Sequence, residues 1–423
     1  MKKRAPFVIV LIVGFLALIF CPANAHQTVI GRDNPAEDVA AVQAAVEKGG
    51  EILLRGTFDF GDKGRVHITK DVKIVGETNG KPMTKIKGGF WAFHSPLPSK
   101  LPPETPGPNI IIQSIHFDGA LWAPIYLAYA RGATITSNKI THIRPMPSPI
   151  PIFGKLGLNY QQGIICYPRY ADPGEPGKYQ PGLITGSLII ADNEIEMSNE
   201  EPTKTMAQGV IVIWTTGIKA QISGNTVYNC TRNAIEAIDN FQGEDGSGFV
   251  LIKDNVLVTP QVGVPVPTPF MPNGIMTGWF FDMTGGVDQK RNIKYVIVNN
   301  SIRLRGQTSF GIAGFADGTV IEGNAVMAET PKAGLVSLTG SNCCMSYNAL
   351  SGTGNQGLAV MPWGPLKGSN NVIVGNDFRQ FKGSLSDVIF RKGANNNLFL
   401  GNSGTVDDQG SGNKIAGKRL IGQ

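Results

Sequence analysis

The sequence predicts an all-β chain wound as a stack of similar coils, and three observations predict it. An asparagine recurs in one frame: ITSNKI (135–140), IADNEI (190–195), ISGNTV (222–227), IKDNVL (252–257), IVNNSI (297–302), IEGNAV (321–326), MSYNAL (345–350), IVGNDF (373–378) and FLGNSG (399–404). Every copy has an apolar residue three before the Asn, and the gaps of 55, 32, 30, 45, 24, 24, 28 and 26 residues fit one unit of about 24 with insertions. A second signal follows most of these asparagines: QGIICY (162–167), QGVIVI (208–213), NAIEAI (233–238), NGIMTG (273–278), FGIAGF (310–315), AGLVSL (333–338) and QGLAVM (356–361). Each is an alternating apolar run opened by Gly or Ala, which reads as a strand entered through a turn. Composition agrees, because charged residues make up only 17% while Gly numbers 53 and Pro 28, a balance of short strands and turns rather than helices.

In chain order, MKKR, an apolar run from Ala5 to Phe20 and Ala23-Asn24-Ala25 read as a secretory signal peptide over 1–25. The apolar run is short of the ~20 residues that span a bilayer. The mature chain is therefore expected to be exported, secreted or periplasmic, and free of the membrane after cleavage. Residues 26–50 form an N-terminal segment with a helix: Asn34 as N-cap, Pro35 at the first helical position, and Glu37 completing a capping box. Val39, Val42 and Val46 make its apolar stripe, and Gly49-Gly50 stops it. Such a helix would lid the open end of the stack just before the first strand, EILLRGTF. Residues 51–423 then form a single solenoid domain of about eleven coils. VKIVG (72–76) and IIIQSIHFDG (110–119) fit its frame without the Asn, and VDDQGSGNKIAGKRLIGQ supplies a last turn and tail.

The nine asparagines have a structural task in such a stack. Asn138, Asn193, Asn225, Asn255, Asn300, Asn324, Asn348, Asn376 and Asn402 tolerate the left-handed backbone of a sharp turn. Their amides carry donors and acceptors, so each can bond to the one above and below as a ladder. Loss of Lys2, Lys3 and Arg4 lowers the formal charge from +6 to +3, so no strong field is left for nucleic acid. Cys166, Cys230, Cys343 and Cys344 suit no zinc spacing and read as buried free thiols.

On this asparagine repeat the sequence resembles the right-handed parallel β-helix proteins, the pectin-lyase-like superfamily, over essentially the whole mature chain. The resemblance implies a single right-handed parallel β-helix. It implies little about activity, because the fold hosts lyases, hydrolases, epimerases, esterases, tailspikes and adhesins. No specific enzyme family is matched. Asp407-Asp408 lies in the tail with no Gly-His-Gly after it, Asp-Pro-His is absent, and no calcium-binding aspartates cluster with an Arg-centred motif.

Three Pro-rich stretches, near 95–108, 145–182 and 260–273, break the period and read as loops standing off the coil. The front of the second ends before QGIICY and the third ends before NGIMTG, so both leave at the same corner. Between them, with Ile235 and Ala237 inward, Glu236 points out among the stack-mates Ile165, Ile211 and Met276. Tyr167, Trp214 and Trp279 are candidate sugar-binding aromatics. Glu236 with Asp239 or Asp282 forms a candidate acid–base pair, and Arg169 is a candidate uronate partner. Each also has a plain reading as a solvated, turn-forming or packed residue. Weaker constellations are Asp192, Glu194 and Glu196, with Glu200 and Glu201 beyond, whose oxygens suit calcium, and His116 and Asp118 with His142 and Arg144, an acid–base cluster. No cofactor motif is evident, and nothing beyond those oxygens supports calcium. Two functions remain open. One is an exported protein that binds, and cleaves or modifies, a polysaccharide or cell-surface glycan along a lateral groove, as a lyase, hydrolase or epimerase. The other is a non-catalytic structural, surface or periplasmic module.

Overall fold

The computed structural model describes residues 27–100, 103–148, 154–168, 183–198, 201, 203–261, 273–278, 293–306 and 308–416. The segment read as a signal peptide lies outside the described residues, as do residues 169–182 and 262–272 of the Pro-rich stretches. Among the described residues, strands form three sheets of 14, 11 and 13 strands. The first face runs from Gln27–Ile30 to Lys414–Ala416, the second from Thr57–Asp59 to Asp377–Gly383, and the third from Val66–His67 to Val406–Asp408. Each strand pairs in parallel with the strand of the next coil; the one antiparallel ladder among them joins Met146–Pro147 to Asn159–Cys166. The chain is a parallel β-helix.

Register explains why the fold holds. On the first face Ile74, Ile112, Ile135, Ile190, Ile222, Ile252 and Ile297 lie one over the next. All are fully buried, and each contributes about 1.5–3 kcal/mol by leaving water. A slip of one residue in any coil would turn its isoleucine out to solvent, so this row pins the register.

A column of amides lines the corner after that face. Asn138 Nδ2 donates to Asn193 Oδ1 at 3.0 Å, and the same bond repeats from Asn193 to Asn225 and on to Asn255, Asn300, Asn324, Asn348, Asn376 and Asn402, at 2.8–3.0 Å. Each Oδ1 also accepts the backbone N–H of the preceding asparagine, as Asn255 Oδ1 does from Asn225 at 3.0 Å. A shorter column, Asn371–Asn397–Asn413, stands at another corner and ends at Cys343, whose N–H donates to Asn371 Oδ1 at 2.8 Å. All four cysteines among the described residues are free; Cys344 is half-buried rather than buried as expected, and burial pushes the Cys166 and Cys343 thiols up to about 12.

The helix spans Pro35–Lys48, with Asn34 as N-cap and Gly49 after it in the left-handed region. Val42 and Val46 are buried and Val39 partly so, which puts the predicted stripe on the first coil. Two details differ from expectation. A strand, Gln27–Ile30, precedes the helix and pairs with Gly50–Arg55, so the first face begins one strand early. Glu37 does not close the capping box: its carboxylate reaches Arg32, and the Asn34 N–H donates to Asp38 Oδ2 at 3.0 Å. Asp38 is one residue too far along for a standard box but lies under the cap, where it also accepts from Arg32 N and Asp59 N, both at 2.8 Å. Asp38→Ala is therefore expected to leave three donors without their acceptor and to destabilise the capped end by about 2–3 kcal/mol. Hydrogen exchange should show the loss first in Gly50–Arg55 and Val72–Gly76; unchanged protection there would refute the tie.

Candidate functional site

The outward row of the third face passes through His67, His94, Tyr126, Ile165, Ile211, Glu236 and Met276. The flanking Ile235 and Ala237 point into the main core. Most of this outward face is not wet. Tyr126, Ile165, Ile211 and Met276 are buried in a second apolar cluster lying outside the coil, together with Trp91, Trp122, Tyr160, Tyr167 and Trp214.

Glu236 is the one carboxylate in this row between His67 and Met276, and it is only 4% exposed. Two lines of side-chain amides converge on it. From the N-terminal side, Trp122 Nε1 donates to Gln162 Oε1 at 2.5 Å and Gln162 Nε2 to Gln208 Oε1 at 2.8 Å, and Gln208 Nε2 donates to Glu236 Oε2. From the other side, Asn273 Nδ2 donates to Asn233 Oδ1 at 3.2 Å, and Asn233 Nδ2 to Glu236 Oε2 at 2.6 Å. The buried Arg232 guanidinium stands 3.9 Å from the same oxygen. Every donor in both lines points toward Glu236, so only an acceptor fits where they meet. Both hydrogen bonds, and the Arg232 charge, fall on Oε2, and Oε1 accepts no hydrogen bond among the described residues. The polar column Gln162–Gln208–Asn233–Asn273 comes from the first residues of QGIICY, QGVIVI, NAIEAI and NGIMTG. Their shared polar character was visible in the sequence, but the turn reading absorbed it.

The other expected site residues divide. Tyr167 and Trp214 are brought together, ring centroids 5.1 Å apart and tilted by 60°, and both are buried. Asp239 is buried at the turn that ends the strand Ile235–Ile238, with φ 51°, and its N–H donates to Gly278 O at 2.7 Å. Arg169, Trp279 and Asp282 lie outside the described residues.

Sequence reasoning missed the first coils of the same face. His94 lies flat on Tyr126 at 5.1 Å and 20°, with Trp91 at 5.2 Å and His67 at 5.4 Å. Burial, then the Arg65 and His67 charges, hold its imidazole down to about 3; burial and Arg65 also lower His67. A base depressed in this way stays neutral in the folded chain while the unfolded chain takes a proton. Its stabilisation is complete above the unfolded value near 6.5 and is lost as pH falls from there toward about 3, by at most about 1.4 kcal/mol per pH unit. Thermal melts between about pH 7 and about pH 4.5 should fall steadily, and His94→Phe should flatten the fall; an equal slope in the variant would refute it.

On the second face, His116, Asp118 and His142 do come together, His116 and Asp118 half-buried and His142 exposed. Desolvation would raise the Asp118 carboxyl, but hydrogen bonds from Lys85 at 2.6 Å and His142 at 2.6 Å bring it down to about 2. Arg144 turns away to Asp62 at 2.6 Å. Glu194 pairs with Lys139 at 2.9 Å. Among the described residues no three His, Cys, Asp or Glu side chains gather as a metal site.

No protein-family model and none of the curated proteins compared matches the chain. Solved structures do. The A-module of a mannuronan C-5 epimerase from Azotobacter vinelandii is 12% identical over 90% of this chain and 94% of its own, with a TM-score of 0.37. An alginate lyase from Paenibacillus is 12% identical over 93% and 96%, at 0.36. A surface adhesin of Streptococcus pneumoniae is 12% identical over 86% and 92%, at 0.46. These likenesses are of fold alone, and the parallel β-helix assignment stands on the chain's own strand register.

Proposed function

We propose that this chain is an exported glycan-binding β-helix that takes a polysaccharide along its third face, with Glu236 as the group that transfers a proton to or from the sugar. The observation that supports it is the one-sided tethering of the Glu236 carboxylate. Two hydrogen bonds and the neighbouring Arg232 charge hold Oε2, while Oε1 is left to act. A general acid or base needs this combination of fixed direction and one available oxygen. Proton delivery to a glycosidic oxygen would lead to hydrolysis, and removal of a ring C–H proton to elimination or epimerisation. Export rests on the basic, apolar and small-residue pattern of 1–25.

The burial of Glu236, Tyr167 and Trp214 favours a second reading, in which the two amide lines simply close the gap between coil and loops and the protein is a non-catalytic module. A panel of neutral and acidic polysaccharides, with and without calcium, tests both. Turnover that survives Glu236→Gln removes the catalytic role, and no binding to any member removes the glycan reading.

A further inference from the structure

Among the described residues, the first coils of the third face hold a cation with no carboxylate partner and two buried donors with no acceptor. Arg65 is half-buried, its guanidinium lying over the Phe90 ring at 4.5 Å and the Trp91 ring at 4.6 Å. Its Nε donates to Phe90 O at 2.9 Å, and no carboxylate among the described residues pairs with it. Beside it, Trp91 Nε1 and both ring nitrogens of His94 are buried with no hydrogen-bond partner, in side chains only 5% and 3% exposed. An indole N–H can only donate, and a neutral imidazole has one N–H to give. A partly desolvated cation and two silent donors on one spot disfavour a metal ion and call for an acceptor that carries negative charge. The half-buried Phe90 ring adds an apolar surface beside them.

We propose that Arg65, Trp91 and His94 form an anion subsite that takes the carboxylate of an acidic sugar residue, whose ring lies against Phe90. This deepens, and rests on, the reading of the third face as a glycan surface. His94 stands four coil steps from Glu236 in the same outward row, about 19 Å at the usual strand spacing, so one oligosaccharide reaches both.

The test is calorimetric titration of the full chain with a panel of oligouronates and with the same oligomers after carboxyl reduction to neutral sugars. The expected result is binding of the acidic forms that weakens with salt. Arg65→Gln should weaken it about tenfold to a hundredfold, with neutral binding unchanged. Trp91→Phe removes a single donor with little change of shape, and it carries the test if the arginine variant does not fold. Equal wild-type affinity for acidic and reduced forms, or no effect of either variant, overturns the subsite and leaves the glycan reading standing. Failure of every oligomer to bind overturns both.

Discussion

Replacing Glu236 by glutamine is expected to lower glycan turnover by about a hundredfold to ten-thousandfold while leaving the fold intact. The reason lies in how the carboxylate is held. Both amide lines end on Oε2, through Gln208 and Asn233. A glutamine can set its own carbonyl oxygen at that point and accept both bonds, with its NH2 in the place of Oε1. The ladder survives, and the oxygen proposed to carry the proton does not. Glycan affinity should change little, because the group is fixed by the protein rather than by ligand. Steady-state kinetics of the variant on any polysaccharide that the wild type turns over would check this. Retained kcat would mean that Glu236 serves only as the terminus of the two lines. Glu236→Leu is the contrasting variant: it strands two amides and should lose stability as well.

The second large effect is expected inside the asparagine column. Asn255 donates through Nδ2 to Ile222 O and to Asn300 Oδ1, both at 2.9 Å. Its own oxygen accepts from Asn225 N and Nδ2, both at 3.0 Å. Asn255→Ala deletes all four bonds where no water can replace them. The Asn225 N–H loses its acceptor outright and the Ile222 carbonyl loses one of its donors, so the loss should be about 3–5 kcal/mol, at the high end for a single substitution. Because each coil touches only its neighbours, unfolding should begin locally. The early signal is faster hydrogen exchange in Lys219–Ser223, Phe249–Lys253 and Lys294–Val298, followed by a lower denaturation midpoint. A midpoint within experimental scatter of the wild type would show that the column contributes little.

Much of the architecture was legible because a solenoid writes its geometry as a period. The apolar residue three before each Asn is the inward row of the first face, and the alignment of Ile165, Ile211, Glu236 and Met276 follows from the same phase. What surrounds those residues was not legible. Glu236 looked like an acid on an open strip, because its burial is contributed by side chains from other coils and by the cluster over the face. The asparagine column begins only at Asn138, so the coils carrying Arg65, His67, Trp91 and His94 have no phase marker to align them. The signal that could have found them is parity, since His67 and His94 occupy the same outward position in consecutive strands. The strand Gln27–Ile30 was missed for a similar reason, as four residues carry too little pattern to register.

The amide column also has a sense of direction. From Asn138 to Asn402 every Nδ2 faces the C-terminal end and every Oδ1 the N-terminal end. Nine aligned amide dipoles, linked by eight bonds and buried along one axis, polarise one another and add up to a weak internal electric field, positive toward the last coil. An interruption at the middle would shorten two arrays at once, so losses at separate rungs should not sum as independent defects.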